Sequence, residues 1–395
     1  MISRHIEKAL GNSSAIREVC EYSAKLAKEI GDENVFDFSL GNPATKPPKA
    51  FDETITAVLQ TTDSMKLHGY TDSEGMEEVR EAIAKNLSER FGVAFEKQHI
   101  CVTVGAGGAL NVVLRTLLDI DDEVIIFAPY FGEYNHYIDN FYGKAVVVQP
   151  DLETFEPDME DFEKKITERT KAVIVNSPNN PSGVVYKEGT LKAIAEILYK
   201  KQSQYGHDIY WISDEPYREL LYDGAVHHCP CKYYDNTFLG YSFSKSLSLP
   251  GERIGYVAVS PNMADVAHVA LGVKNANRIL GFVNAPSLMQ LTVAKCLEEE
   301  TDIEYYNTNR KILYEGLTKL GFTCVKPEGA FYLFLKSPIE DDVKFCKEAM
   351  KYHLMMVNGT SFECPGYVRL AYCISTDKVK RSLEQFAKLA KEFDL

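Results

Sequence analysis

The sequence predicts an α/β protein built on a largely parallel sheet, and two observations support this fold class. Short runs rich in β-branched residues, at 124–127 and 172–175, are apolar at every position. Strands covered by helices on both faces have this continuous pattern, whereas half-exposed strands alternate apolar and polar residues. The runs also alternate with longer segments of helical periodicity, which is typical of a sheet with crossover helices.

Each element follows from its local pattern. Apolar residues recur at helical spacing from Ile16 to Ile30, and Gly31 ends the pattern, so a helix is predicted over 14–30. The same criteria give helix 74–91, strand 99–104, helix 107–118, strands 123–128 and 144–149, helix 158–166, strand 171–176, helix 188–205 and strands 209–213, 237–241 and 254–259. A long helical stretch over 286–319 then precedes strands near 331–335, 354–357 and 366–372.

The length of the chain predicts two domains. A chain of 395 residues exceeds the size at which single hydrophobic cores stop growing. The large domain, with a mostly parallel seven-stranded sheet, is placed at 48–299. Residues 1–47 and 300–395 are expected to form an N-terminal arm and a smaller α+β domain.

Composition excludes several classes of protein. A formal charge of −14, with no clustered run of Lys and Arg, argues against a nucleic-acid surface. The nine cysteines, an odd number without a secretory leader before them, indicate reduced thiols in the cytoplasm. Cys229 and Cys231 have no second Cys/His pair at zinc spacing, so no metal site is expected. No run of 18 apolar residues occurs, so no membrane association is expected.

The segment 242–246, with the sequence SFSKS, carries the clearest chemical signal. A lysine becomes a covalent catalyst when its ε-amine condenses with an aldehyde to form a Schiff base. Hydroxyl and apolar residues flank Lys245, and the Pro250-Gly251 turn brings Arg253 back towards it. Ser242 and Arg253 are therefore candidate phosphate ligands beside the lysine. An aldehyde that carries a phosphate is what pyridoxal 5′-phosphate (PLP) presents, so the segment predicts a PLP site.

A second phosphate-binding element is predicted at 105–110. A strand gives way to a helix through small residues there, so backbone N–H groups, those of Ala106 and Gly107 among them, can approach a phosphate at the positive end of the helix. Taken alone, this segment is equally well explained as a tight turn between a strand and a helix. The ligands near Lys245 favour phosphate binding.

Asp214 directly follows the apolar strand 209–213. Ligands of α/β proteins gather at the carboxyl ends of the strands. A carboxylate against a pyridine nitrogen favours the protonated ring, which is then a stronger electron acceptor. Asp214 is therefore the predicted partner of the ring nitrogen.

Taken in order from about residue 36 to residue 372, these motifs resemble those of the fold-type I PLP-dependent aminotransferases, class I/II, of the aspartate/kynurenine aminotransferase-like group. The resemblance implies a cytoplasmic homodimer with shared active sites, acting on amino-acid and 2-oxo-acid substrates. It implies that Tyr217 and Asn180 contact the 3′-oxygen of the cofactor. Asn180 also lies in a common turn-forming sequence.

The resemblance assigns further residues. Phe131, two residues after Pro129, is expected to stack on the cofactor ring, with Tyr130 as a rival and a place in the core as the simpler explanation. Tyr70 resembles the tyrosine that reaches the phosphate of the partner subunit. Gly41 resembles the glycine that closes over the substrate, although a simple turn also explains it.

Arg369 lies on an apolar strand, where an arginine needs a partner, and its planar fork matches a carboxylate. The family uses an arginine at this position for the α-carboxylate of the substrate. The expected reaction is a two-stage transamination in which Lys245 holds PLP as a Schiff base and then moves the Cα proton. Its usual pKa of about 10.4 has to be lowered for this work.

The substrate is less well specified. Relatives that act on aspartate recognise a distal carboxylate with an arginine from the partner subunit or with a lysine in the phosphate loop, where this chain has Gly107. Arg278 is a candidate for the arginine, and a surface ion pair explains it equally well. An acidic donor with 2-oxoglutarate as acceptor is preferred, with aromatic or broad specificity left open.

A PLP-dependent carbon–sulfur β-lyase is the alternative enzyme. A ligand-sensing regulator is disfavoured because the 35 residues before the core motifs are too few for a DNA-binding module.

Overall fold

The computed structural model describes residues 2–3, 5–7 and 15–395, with the side chains of residues 15–17 left out. Its strands are β1 (Phe36–Asp37), β2 (Ile100–Thr103), β3 (Glu123–Phe127), β4 (Lys144–Val148), β5 (Thr170–Asn176), β6 (Tyr210–Asp214), β7 (Thr237–Ser242), β8 (Gly255–Val259), β9 (Tyr332–Lys336), β10 (Leu354–Met355), β11 (Val357–Asn358) and β12 (Tyr367–Ala371).

From residue 15 onward, the α-helices are α1 (Ala15–Ile30), α2 (Lys49–Thr61), α3 (Ser64–His68), α4 (Glu77–Phe91), α5 (Gly105–Leu117), α6 (Glu133–Asp139), α7 (Met159–Lys165), α8 (Glu188–Tyr205), α9 (Phe243–Ser246), α10 (Val266–Ile279), α11 (Ser287–Val293), α12 (Ile303–Lys319), α13 (Asp342–Met350) and α14 (Thr376–Glu392).

Seven strands form the central sheet, in the order β2-β8-β7-β6-β5-β3-β4. All neighbouring pairs from β7 to β4 are parallel, whereas β8 pairs antiparallel with both β7 and β2. The predicted fold class, α/β with a mostly parallel seven-stranded sheet, is confirmed.

Both faces of the sheet are buried, as the continuous apolar runs require. In β3, Val124 and Ile126 pack in one hydrophobic cluster with residues of α5. Ile125 and Phe127 point to the opposite face and pack in a second cluster with residues of α8. Successive side chains of a strand alternate between faces, so every position of such a strand has to be apolar.

A smaller unit contains two further sheets. Strands β11, β12 and β9 form an antiparallel sheet in that order, and β1 pairs in parallel with β10. The backbone carbonyl oxygen of Phe38, just after β1, accepts a hydrogen bond from the N–H of Ala371 at 2.8 Å. The N-terminal segment is therefore part of the smaller unit, although most of that unit comes from the other end of the chain.

Some predicted boundaries are wrong. The helical stretch over 286–319 is two helices, because the chain leaves helical geometry after Val293 and resumes it where the Asp302 side chain caps α12. The predicted strand 354–357 is divided between β10 and β11, which belong to different sheets. Residue 14, the predicted start of the first helix, lies outside the described residues. The sequence prediction also passed over α2, α3, α6, α9, α10, α13 and α14.

Among the residues described, no helix combines the length and the apolar character needed to cross a membrane.

Leu333, in the middle of β9, is completely buried in the core of the smaller unit. Leu333→Ala is expected to lower the free energy of unfolding by about 2–5 kcal/mol, because it removes buried methyl groups and leaves a cavity. Leu152→Ala is the control, since Leu152 is 58% exposed. Its effect should stay within about 0.5 kcal/mol in the same urea denaturation experiment. Equal losses in the two variants would contradict the burial of β9.

Candidate active site

A cavity of about 310 Å³ lies at the carboxyl edge of the central sheet. Parallel strands end at this edge, so the residues that follow them converge there. Asp214 ends β6 and Ser242 ends β7. The N-terminus of α5 follows β2, and Phe131 follows β3. All predicted site residues except Tyr70 and Arg278 line this cavity: Gly41, Ala106, Gly107, Phe131, Asn180, Asp214, Tyr217, Ser242, Lys245, Arg253 and Arg369.

Lys245 lies on the single turn of α9, which directly follows β7. The Ser242 side chain caps this turn by accepting a hydrogen bond from the Ser244 N–H at 3.1 Å. The Nζ of Lys245 donates to the carbonyl oxygen of Gly41 at 2.5 Å and lies 5.2 Å from the centre of the Phe331 ring. The lysine therefore bridges the central sheet and the N-terminal segment.

Burial lowers the pKa of Lys245 to about 8, and the positive charges of Arg369 and Arg253 act in the same direction. Nearby Cys373 opposes them. Charged groups lose hydration when they are buried, so the neutral amine is favoured. A substantial fraction of Lys245 is therefore a neutral nucleophile and base near pH 7 to 8.

The phosphate-binding turn is built around a glycine. Gly105 begins α5 with a φ of 77°, a left-handed conformation that favours glycine. A Cβ at this residue would lie 2.8 Å from the Nη2 of Arg253. Arg253 is held by bonds from Nη1 to the carbonyl oxygen of Pro250 at 3.0 Å and from Nη2 to that of Val104 at 3.4 Å. The guanidinium therefore lies directly against the N-terminus of the helix.

Asp214 is buried, with 5% of its surface exposed, and its two oxygens differ. Oδ2 accepts a hydrogen bond from the Tyr134 hydroxyl. Oδ1 is buried and has no hydrogen-bond partner among the described residues. Burial raises the pKa of Asp214 to about 7, and the Tyr134 hydrogen bond opposes this shift. A buried carboxylate oxygen without a partner is costly, so the site is suited to a cationic N–H at this point.

Arg369 is buried on β12 and is held in place from several sides. Its Nη1 donates to Oδ1 of Asn180 at 3.0 Å, and its Nη2 donates to the carbonyl oxygen of Ser39. The guanidinium carbon lies 4.7 Å from the centre of the Tyr332 ring and 4.9 Å from that of Phe362. The Nε has no partner among the described residues. The planar group is fixed in orientation at the wall of the cavity.

Tyr217 and Tyr332 form a buried pair of phenols, with their hydroxyl oxygens 2.9 Å apart. Burial raises the pKa of Tyr332 to about 12 and that of Tyr217 well above its usual value. Both therefore remain neutral hydrogen-bonding groups. Gly41 packs so closely against this pair that a Cβ there would lie 2.1 Å from the Tyr332 hydroxyl oxygen.

Tyr70 and Arg278 lie outside the cavity of their own chain. Tyr70 is 95% exposed. Arg278 is an exposed residue of α10, and its Nη2 donates to Oδ1 of Asn275 at 2.9 Å. Neither residue is brought towards the other predicted site residues within one chain.

Tyr134, Tyr137 and Tyr332 also line the cavity and were missed by the sequence analysis. Helical spacing carried a signal for two of them, because Tyr134 and Tyr137 follow Phe131 at intervals of three residues on and before α6. For Tyr332 the sequence contained a weaker indication of a place in the cavity. It pairs with Ala371 in the sheet, so it lies on the strand adjacent to Arg369. The rival Tyr130 is not among the residues that line the cavity; its hydroxyl donates to Asn135 at 3.1 Å.

The chemical groups of these residues match the chemical groups of PLP. Asp214 offers an unpaired buried carboxylate oxygen to a protonated ring nitrogen. The first turn of α5 and Arg253 offer N–H groups to a phosphate. Lys245 offers an amine of lowered pKa to an aldehyde. The three groups line the same cavity.

Comparison with known proteins agrees with this geometry. The family model described as aminotransferase class I and II matches residues 33–386. A probable aspartate/prephenate aminotransferase of Aquifex aeolicus is 33% identical over 381 residues, which cover 93% of this chain and 94% of the relative. The aspartate aminotransferase of Thermotoga maritima is 32% identical, with 98% of each chain covered.

Solved structures are similar over the whole chain. An amino transferase from Eubacterium rectale is 44% identical, with a TM-score of 0.97 and 100% of each chain covered. The aspartate aminotransferase of Thermus thermophilus with maleate is 29% identical, with a TM-score of 0.88, covering 98% of this chain and 99% of that one. These similarities favour transamination over the β-lyase alternative. The chain belongs to the aminotransferase class I and II family and is an aminotransferase.

Proposed function

We propose that this aminotransferase uses PLP to move the amino group of an L-amino acid, with aspartate as the first candidate, to a 2-oxo acid such as 2-oxoglutarate. Enzymes of class I and II use PLP as their cofactor. The observation that carries the proposal is that Lys245, Asp214 and Arg369, which suit an aldehyde, a protonated ring nitrogen and a carboxylate, line one cavity. Aspartate is named as a substrate for several relatives.

Bound PLP would supply an aldehyde that links to amines and a ring that accepts electrons from the substrate. In this proposal the Nζ of Lys245 would hold the cofactor covalently at its aldehyde carbon. Once the amino group of the substrate has taken its place there, the freed amine of Lys245 would be the base that accepts the Cα proton and passes it on. The fraction of neutral amine at its lowered pKa suits both tasks. Asp214 keeps a proton on the ring nitrogen through its unpaired Oδ1.

The remaining residues orient the reactants. Arg369 would bind the α-carboxylate of the substrate through its planar fork. Asn180 and Tyr217 would contact the 3′-oxygen, and Phe131 would stack on the ring. Gly41, in the N-terminal segment, would close over the substrate. In the structure its carbonyl oxygen accepts a hydrogen bond from the Nζ of Lys245.

The phosphate of the cofactor would be bound by Ser242, Arg253 and the backbone N–H groups of Ala106 and Gly107. The N-terminus of α5 favours an anion because its first N–H groups are free of intrahelical partners. Tyr70 of a second chain would complete this set, since it does not reach the cavity of its own chain.

We further propose a cytoplasmic homodimer with shared active sites. Large apolar side chains are exposed on α3 and α10, among them Met65 at 83% and Leu271 at 60%. Tyr70 comes two residues after the end of α3, and Arg278 lies on α10 itself. Exposed apolar residues beside otherwise unexplained polar ones are typical of subunit interfaces. The nine cysteines are all free thiols, in keeping with a reducing compartment.

The domain boundaries remain those proposed from the sequence, with 48–299 as the large PLP-binding domain and 1–47 with 300–395 as the arm and the small domain. The hydrophobic clusters support this division. One cluster is built mainly from residues beyond 300 together with Phe36 and Phe38. The clusters on the two faces of the central sheet lie mostly between residues 101 and 276.

An acidic donor requires a cation for its distal carboxylate. The cationic side chains that line the cavity in the described chain are Lys245, Arg253 and Arg369, and each already has a proposed task. Gly107 occupies the phosphate-loop position at which some relatives carry a lysine. Arg278 of a second chain would therefore be the residue that recognises aspartate.

Lys245→Ala is expected to abolish covalent attachment of PLP. In the parent protein, borohydride reduction should fix one cofactor to Lys245, as located by peptide mass spectrometry. The rate of attachment should rise about tenfold per pH unit below pH 8 and level off above it, because the neutral amine is the nucleophile and its pKa is about 8. A reducible cofactor attached elsewhere in the variant would overturn the assignment.

Shared sites predict recovery of activity on mixing defective chains. With aspartate as donor, the Lys245→Ala chain alone is expected to be inactive, and the Arg278→Ala chain alone is expected to keep about 1–10% of the parent kcat/KM. After subunit exchange, random pairing should restore about a quarter of the parent activity, because one site of each mixed dimer is intact.

The matched control mixes Lys245→Ala with Asp214→Ala, since both residues line the cavity of their own chain. That mixture should recover nothing. An absence of recovery in the first mixture, once exchange has been verified by mass spectrometry, would count against shared sites.

Two arginine substitutions separate general binding from specificity. Arg369→Lys should raise the KM of every amino donor by about tenfold or more, because an ammonium cannot reproduce the bidentate contact. Arg278→Ala should lower kcat/KM about 10- to 100-fold for aspartate and glutamate and leave alanine and aromatic donors unchanged. An equal loss across all donors, or no loss, would remove the acidic-donor proposal.

A further inference from the structure

Tyr137 is a cavity residue to which the mechanism above gives no task. It lies on α6, half-buried, and its side chain lines the cavity. The hydroxyl groups of its neighbours are occupied, that of Tyr134 by Asp214 and that of Tyr130 by Asn135. No described residue forms a hydrogen bond with the Tyr137 hydroxyl. It is a polar group at the wall of the site that is free to bind a ligand.

The position of this hydroxyl is informative. It lies 3.2 Å from the point that a Cβ on Gly107 would occupy. Gly107 is in the first turn of α5, whose other side is bounded by Arg253, with Nη2 2.8 Å from a Cβ built on Gly105. The phenol and the guanidinium therefore flank the same helix N-terminus from two sides.

The turn between them lacks side-chain donors. Residues 105–109 are Gly-Ala-Gly-Gly-Ala, so this stretch offers backbone N–H groups only. A phosphate monoester carries a charge of about −1.5 to −2 at pH 7 and has three strong acceptor oxygens. Burial raises the pKa of Tyr137 to about 12, so its hydroxyl keeps its proton and remains a donor. Nearby donors to an anion contribute charge-assisted hydrogen bonds.

We propose that Tyr137 is a cofactor-binding residue whose hydroxyl donates a hydrogen bond to the phosphate of PLP at the first turn of α5. This inference rests on the proposed function of the cavity. Gly107 and Tyr137 act as a pair, because a side chain at Gly107 would crowd the hydroxyl at 3.2 Å. The helix N-terminus, where free N–H groups converge, favours the phosphate over the other available anion, the distal carboxylate of an acidic substrate.

The test compares PLP with pyridoxal, which is the same aldehyde without the phosphate. Apo protein is titrated with each ligand by absorbance, for the parent chain and for Tyr137→Phe. The variant should bind PLP about tenfold more weakly or worse, and its affinity for pyridoxal should stay within about twofold of the parent. The phosphorus NMR signal of bound PLP should also shift between the two proteins, because one hydrogen bond to the phosphate is lost.

Tyr130→Phe is the matched control. Tyr130 is buried on the same segment, but its hydroxyl bonds to Asn135 and it does not line the cavity. Neither ligand should bind differently to this variant. Since Tyr137→Phe removes one oxygen atom and keeps the ring, a folded variant is expected, and circular dichroism verifies it.

Three results would overturn the inference. PLP affinity could be unchanged in Tyr137→Phe, or PLP and pyridoxal could be weakened equally, which would indicate loss of packing. A higher KM for aspartate with unchanged PLP affinity would assign the hydroxyl to the substrate carboxylate. Failure of the proposed function itself has a different signature: the parent protein would bind no PLP, or would attach it at a residue other than Lys245.

Discussion

The burial of Asp214 with one oxygen unpaired is the constraint around which the cavity is arranged. A carboxylate at the end of β6 has lost its hydration, and Tyr134 compensates only one of its oxygens. The fold maintains this unfavourable arrangement because β6 lies in the middle of the sheet, with strands on both sides. A buried polar atom without a partner is typical of a site that is completed by its ligand. A cation at Oδ1 would supply the missing partner and favour the charged carboxylate.

The charges around Asp214 are distributed over different parts of the chain. Lys245 comes from α9, the helical turn after β7, and Arg369 comes from the antiparallel sheet of the smaller unit. The two cations repel each other, which helps to lower the pKa of the lysine. The guanidinium of Arg369 does not move away from Lys245, because Asn180, Ser39 and two aromatic rings hold it in place. The fixed position of Arg369 therefore helps to keep the pKa of Lys245 low and its amine reactive.

Much of this could be read from the sequence, for physical reasons that differ between residues. The strands of the central sheet were predictable because burial on both faces demands continuous apolar runs. Asp214 was predictable because it directly follows such a predicted strand, and Lys245 because hydroxyl residues and Arg253 accompany it in the sequence. Tyr332 was not, since its place in the cavity depends on the pairing of β9 with β12. For Tyr137 the helical spacing after Phe131 gave a signal, but the face of α6 that lines the cavity depends on the path of the chain after β3. The break between α11 and α12 was also missed, because the apolar pattern continues on both sides of it.

The order of the strands has a consequence for how the protein reaches its native state. β2 is the first strand of the central sheet along the chain, yet within the described part of the chain its only partner in the sheet is β8, the last one. During synthesis β2 emerges long before β8, and it stays unpaired while the intervening strands are made. Contacts between distant residues slow folding and leave strand edges exposed to aggregation. Completion of the sheet, and with it the placement of α5 beside Arg253, therefore requires the chain from β2 through β8 to be available.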